Sequence, residues 1–270
     1  MIAENFIIHL IFIAINIGME KTFNLTVHSN KGDLNIRWSD PKTLAKYSNI
    51  QAGFYLENVQ DYSVQFLKKH FYEWNQTFWT MREEKGMFNF SDNSVIVDIG
   101  SGIAVADLLL ASYIPNSKFY LIDDEGWNDE FAQAVPPNVC YDTDYPIYNS
   151  WSPVNDAITT SGFDPARFVM QTPSESFPVD VDVITSYISW CFHYPKEIYW
   201  ERVMSSLKKG GQLLLDVRSL EDKDVIGEIS EELKSIPIKH DFPKLPDYVD
   251  NYPAIDNEAA WARCLWIKNC

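Results

Sequence analysis

The stretch Val95 to Ala106, VIVDIGSGIAVA, decides the fold of this chain. Val95 to Ile99 is an apolar run with one acid, Asp98, near its end, the composition of a strand buried on both faces of a parallel sheet. Gly100 and Gly102 break the run, and an apolar segment of helical length opens at Val105. Lacking a Cβ, Gly100 and Gly102 can take positive φ and let the backbone approach a small ligand closely. Strand, glycine turn and helix in this order form a nucleotide-type binding loop, in which the carboxylate of Asp98 needs polar partners.

Reading outward, strands are expected at Val95 to Ile99, Lys118 to Ile122, Arg167 to Gln171, Val181 to Ser186 and Gln212 to Val217. Helices are expected near Val105 to Tyr113, Asn128 to Ala134, Val154 to Ser161, Glu197 to Leu207 and Asp222 to Ser235, the fourth closed by Lys208, Lys209 and Gly210. This alternation predicts an α/β fold, a parallel sheet covered on both faces. Ile236 to Phe242 and Trp261 to Ile267 read as two further strands, joined by a Pro- and Tyr-rich connection from Pro243 to Pro253. Upstream, Val64, Leu67, Phe71, Trp74, Phe78 and Met81 recur at helical spacing between Asp61 and Gly86, one buried face of a helix packed on the domain.

The chain has 270 residues, 46% of them hydrophobic, enough for one sizeable α/β domain with an extension. Its net charge of -16 opposes the phosphate backbone of nucleic acid, and no cluster of Lys and Arg offsets it. Cys140, Cys191, Cys264 and Cys270 show no C-x-x-C spacing, so neither a zinc site nor a disulfide framework is expected, and a reducing, cytoplasmic setting is the simpler reading. Phe6 to Ile17 is apolar like the core of a signal peptide, but Glu4 stands where a basic residue belongs and no A-x-A site follows. It is also too short to span a bilayer. Residues 1–18 are therefore expected to be a leader outside a working protein that begins at Met19, with a membrane anchor as the rival reading.

In an open α/β sheet, ligands bind beyond the carboxyl ends of the strands. Gly100, Ser101 and Gly102 follow the first strand there, and Asp123 and Asp124 follow the second, about twenty residues on, where a carboxylate can accept both hydroxyl protons of a ribose. A nucleoside ligand is the expectation. The fourth strand runs into Ser189 to Pro195, S-W-C-F-H-Y-P, which would put Trp190, Phe192, His193 and Tyr194 at the rim, with Trp190, His193 and Tyr194 as substrate contacts. Asn149 to Trp151 and Tyr248 to Tyr252 are further candidates for shaping that pocket.

D-I-G-S-G from Asp98, L-I-D-D from Leu121, V-D-V-I-T-S from Val181 and G-G-Q-L-L-L-D from Gly210 resemble class I S-adenosylmethionine-dependent methyltransferases, over roughly Val95 to Lys268. The resemblance implies a three-layer Rossmann-like fold with a mostly parallel seven-stranded sheet and an antiparallel last strand. It implies residues 92–270 as the cofactor domain and residues 19–91 as an N-terminal helical extension or lid. It also implies Gly100, Ser101 and Gly102 against the methionine part of S-adenosyl-L-methionine and Asp98 near its amino group. Asp123, with Asp124, would take the ribose, Thr172, with Ser174 behind it, the adenine amine, and Ser186 would border the methionine moiety. Ser189 to Pro195 resembles a segment of sugar O-methyltransferases, which suggests a small-molecule hydroxyl, a sugar among them, as acceptor.

A hydroxyl acceptor becomes a better nucleophile when a base takes its proton, and His193 titrates in the right range for that role. A structural histidine beside a proline turn is the alternative. No array of carboxylates predicts a metal site, so none is expected. A nicotinamide oxidoreductase needs a third glycine where Val105 stands, which favours the methyl donor. A ligand-binding protein without turnover keeps the same loop and stays open.

Overall fold

The computed structural model describes residues 22–40, 91–123, 150–187, 189–218, 224–242 and 261–270. The expected leader, the helix between Asp61 and Gly86, the helix between Asn128 and Ala134, Asp124, and the connection from Pro243 lie outside these residues.

Seven strands form one sheet: β3 (Val95–Ile99), β4 (Lys118–Ile122), β5 (Phe168–Gln171), β6 (Val181–Ser186), β8 (Leu207–Arg218), β9 (Ile238–Phe242) and β10 (Trp261–Ile267), in the order β5-β4-β3-β6-β8-β10-β9. The first five run parallel, whereas β10 is antiparallel to both neighbours, so the reversed strand sits one place in from the edge and β9 is outermost. Helices α1 (Val105–Tyr113), α2 (Trp151–Thr160), α3 (Trp200–Ser206) and α4 (Val225–Leu233) complete the described helical segments. The fold is three-layered and Rossmann-like.

Period-two alternation sorts the strand residues between two cores. Ile96, Phe119, Leu121, Val183, Leu214 and Leu265 face α1 and α2. Val97, Ile99, Ile122, Ile184, Leu215 and Trp266 face α3 and α4, where Val203, Ile229 and Leu233 meet them.

Within the segment expected as a helical extension, residues 23–38 form a β-hairpin, β1 (Phe23–Ser29) and β2 (Gly32–Trp38), paired in register from Phe23↔Trp38 to Ser29↔Gly32. Leu25, Val27, Leu34, Ile36 and Trp38 alternate along it and are buried with α1 and α2. That period is a strand's, which excludes a helix there. Arg37 N donates to Ser161 Oγ at 2.8 Å and Asp40 N to Asp156 at 3.0 Å, tying the hairpin to α2.

Besides small shifts at the ends of β5, β9 and α4, three expectations change for a local reason. α2 begins at Trp151, because Ser150 caps it by accepting from Ser152 N and Pro153 falls in the first turn, where proline is tolerated. The expected helix from Glu197 divides into a 3₁₀ turn, Lys196–Ile198, and α3. β8 begins at Leu207 rather than Gln212, passing through Gly210 (φ 77°) and a register shift against β6 between Val181 and Val183. Among the described residues no helix is long and apolar enough to cross a membrane.

Candidate functional site

β3 is the point at which strand order turns: β4 and β5 extend from it on one side, β6 and β8 on the other. The crevice of such a sheet opens at the carboxyl ends of β3 and β6, where the expected loop lies. Gly100 (φ 75°) and Gly102 (φ 54°) both take the left-handed backbone, as does Ala104 (φ 54°), which precedes α1 without a side-chain cap.

The loop is bound to the end of β4 by its own amides. Gly100 N and Ser101 N donate to Ile122 O at 2.7 and 3.2 Å, and Gly102 N donates to Asp123 Oδ2 at 2.7 Å. The structure thus joins two features that are twenty-one residues apart in the chain, the glycine turn and the acid after the second strand. The Oγ of Ser101 is buried there without a hydrogen-bond partner among the described residues. A Cβ on Gly100 would lie 1.9 Å from Ser189 Oγ and 2.5 Å from Ser189 Cβ. Part of the need for glycine at position 100 is therefore the packing of the chain after β6.

Asp98 is 2% exposed, and its Oδ1 accepts a 2.7 Å hydrogen bond from Thr185 Oγ1, the residue directly across on β6. Burial pushes its acid up to about 6, with the neighbouring Asp107 and the Thr185 hydrogen bond opposing and the charge of Asp216 adding to the rise. Asp107, on the first turn of α1, is fully buried, and burial followed by the adjacent Asp98 charge holds its acid well above the usual carboxylate range. Next along the row, Asp216 on β8 and Arg263 on β10 face each other in register and form a bidentate pair of 2.7 and 2.8 Å, both buried. The Arg263 guanidinium also lies over the Tyr187 ring at 5.2 Å. Asp98 and Thr185, paired across β3 and β6, and Asp216 and Arg263, paired across β8 and β10 one inward-facing position further along, form a stepped polar row on the face covered by α1. Sequence reading found only Asp98 in it. The available signal was the interruption of each strand's inward-facing apolar alternation by a polar residue.

Other expected residues are held within the protein. Ser186 is fully buried, donating to Ile99 O at 2.7 Å and accepting from Trp190 N at 2.9 Å, so it fastens the start of β7 (Ser189–Tyr194) to the end of β3. Trp190 turns into the core: it is fully buried, its Nε1 donates to Lys196 O at 3.0 Å, and its ring packs against Tyr199 and Trp200. Thr172 takes part in a tight turn, its N donating to Glu175 at 2.7 Å and its hydroxyl 2.8 Å from that of Ser174. His193 and Tyr194 lie on β7, and their side chains fall outside the description. Among the described residues no group of three or more His, Cys, Asp or Glu is arranged to hold a metal ion.

No family model matches the chain. Over 57 residues it is 39% identical to ribosomal RNA small subunit methyltransferase G of Syntrophomonas wolfei, a stretch of 20% of this chain and 27% of that protein. The match thus spans about a quarter of the curated relative's length. Among solved structures, the chain is similar to Haemonchus contortus phosphoethanolamine N-methyltransferase 2 in complex with phosphomonomethylethanolamine and S-adenosylhomocysteine (14% identity, 73% of this chain and 53% of that one, TM-score 0.48). It is also similar to the YcgJ protein of Bacillus subtilis (14%, 67% and 94%, TM-score 0.43) and to M. jannaschii TYW2 in complex with AdoMet (14%, 70% and 75%, TM-score 0.42).

Proposed function

We propose that this chain is an S-adenosylmethionine-dependent methyltransferase that delivers the methyl group to a hydroxyl of a small molecule, with sugars as the first acceptors to try. The observation that carries the reading is the hydrogen bond from Gly102 N to Asp123 Oδ2, which sets a carboxylate against the glycine turn at the point where strand order reverses. A carboxylate has several lone pairs, so holding the loop does not exhaust its capacity for ribose hydroxyls.

The residues fit this cofactor better than a dinucleotide. A pyrophosphate site uses loop amides on the phosphates, but here those of Gly100, Ser101 and Gly102 are engaged by Ile122 and Asp123. Asp98 beneath the loop favours a cation over an anion, and the hydroxyl of Ser101, without a partner among the described residues, offers a contact at the loop itself.

When bound, S-adenosylmethionine supplies an electrophilic methyl carbon on a positively charged sulfur. The chain's residues then have to hold an acceptor oxygen in line and close to it. Asp123 would hold the ribose end, Asp98 would balance the cationic end, and Thr172 would contact the adenine. Ser186 and Trp190 hold the start of β7, the strand that contains His193 and Tyr194, and His193 would take the hydroxyl proton. The net charge of -16 argues against RNA as the acceptor, although the curated relative is a ribosomal RNA methyltransferase.

Calorimetry with S-adenosylmethionine, S-adenosylhomocysteine and NAD, followed by transfer of labelled methyl to a panel of sugars, other hydroxyl compounds and RNA, tests the proposal. Asp123→Ala should lose cofactor binding, and His193→Ala should lose turnover while binding persists. NAD binding without S-adenosylhomocysteine binding would refute the cofactor, label on RNA alone would refute the acceptor, and cofactor binding without any transfer would leave a silent binder.

A further inference from the structure

Asp107 has no place in the loop's hydrogen bonding, yet it is fully buried against Asp98. Neither of its carboxylate oxygens meets a donor at hydrogen-bonding geometry among the described residues. An ionised carboxylate in that state would cost several kcal/mol, and two adjacent carboxylates more. The conflict disappears if one of the two carries a proton. Asp98 is already supplied with a side-chain donor, the Thr185 hydroxyl at 2.7 Å, and so is the better carboxylate, whereas Asp107, with no side-chain donor among the described residues, is the better acid.

We propose that Asp107 is a positioning residue for the cationic end of the cofactor: a neutral acid on α1 that donates its proton to Asp98 opposite the Thr185 hydroxyl, so that one buried carboxylate held by two donors balances the ammonium group. This rests on the methyl-donor reading of the preceding subsection. The charged and titratable groups that face the pair among the described residues are Tyr187 after β6, Asp216 on β8 and Arg263 on β10. Arg263 is bidentate to Asp216, so that couple is close to neutral and the net negative charge of the cluster rests on the Asp98–Asp107 pair. Below the titration of Asp98, at about pH 6, the ligand's ammonium must displace a proton from Asp98 to solvent, and affinity should fall by about tenfold per pH unit.

The test has two parts. Infrared spectra of the ligand-free protein near pH 8, wild type minus Asp107→Asn, should contain a protonated-carboxyl band; its absence overturns the inference whether or not the cofactor binds. Calorimetry with S-adenosylhomocysteine, which has the amino group but no sulfonium, then follows affinity against pH. Asp107→Leu removes the donor and should move the midpoint up by about one pH unit. Asp107→Asn supplies an amide donor and should bring it back toward the wild-type value. If Asp107 only fills space, the two variants keep a common midpoint. If Asp107 is the ionised partner, Asp107→Asn lowers the midpoint, and either result overturns the inference. The infrared band with no binding by wild-type protein at any pH overturns the methyl-donor reading, and the ligand role of the pair with it.

Discussion

Gly100→Ala is the substitution whose cost the geometry specifies most closely. The residue has φ 75°, and placing an L side chain in the left-handed region costs about 1–2 kcal/mol. The added Cβ would also lie 1.9 Å from Ser189 Oγ and 2.5 Å from Ser189 Cβ. Rotating Ser189 moves its oxygen but not its Cβ, so the backbone at the start of β7 must yield, an overpacking cost of about 1–3 kcal/mol. The sum, about 2–5 kcal/mol, should lower the urea midpoint by roughly 1–2 M for an ordinary dependence on denaturant. The steric part alone is removable. In a double-mutant cycle Ser189→Gly should recover about 1–3 kcal/mol of the loss, whereas Ser189→Ala, which keeps the Cβ, should recover little. A Gly100→Ala protein within about 1 kcal/mol of wild type, or one indifferent to Ser189→Gly, would refute the packing argument.

Arg263→Leu should destabilise by about 3–5 kcal/mol in urea titrations, because it leaves Asp216 buried and unbalanced, and adding Asp216→Leu should restore much of the loss. Ser186→Ala removes a hydroxyl that bridges Ile99 O and Trp190 N and should cost about 1–3 kcal/mol by the same measurement. Asp98→Asn should change how stability depends on pH. The wild-type acid sits at about 6 in the folded state against 3.8 ordinarily, so between these values the folded chain holds a proton that the unfolded chain has lost. Wild type should therefore lose up to about 3 kcal/mol relative to Asp98→Asn as pH rises from 4 to 6, with no further change above, and a difference of the opposite sign would refute the burial argument.

The parallel strands were legible because each is a short apolar run closed by turn residues, and β3, β4, β6 and β10 fall on the residues expected for them. The hairpin was not. Its alternation from Leu25 to Trp38 is regular, but it lies before a segment of helical period and, among the described residues, buries its apolar face against α1 and α2, which are distant in sequence. At Pro153 and Gly210, residues that usually interrupt elements lie inside a first helical turn and a bulged strand, and there local chemistry yields to tertiary pairing. Of the site, the loop and Asp123 could be found because one strand-turn-helix unit encodes each. Asp107, Asp216 and Arg263 could not, since each has meaning only beside a residue of another element.

That polar row bears on what the crevice binds. On the face covered by α1, Ile96 gives way to Asp98 and Val183 to Thr185 at one level of the sheet, and Leu214 gives way to Asp216 and Leu265 to Arg263 one inward-facing position further along, since Thr185 pairs with Leu214. Four central strands thus forgo apolar burial at their ligand-facing ends, and such a row is tolerable only when its members satisfy one another. Asp216 and Arg263 do, and Thr185 satisfies Asp98. Asp107 remains, and a single proton shared with Asp98 completes the set while keeping one negative charge under the glycine loop. A charge of that sign, behind amides already engaged by Ile122 and Asp123, repels a pyrophosphate and favours an ammonium. The electrostatics proposed for the row and the hydrogen bonding of the loop thus both weigh against a dinucleotide, which the NAD arm of the calorimetry tests.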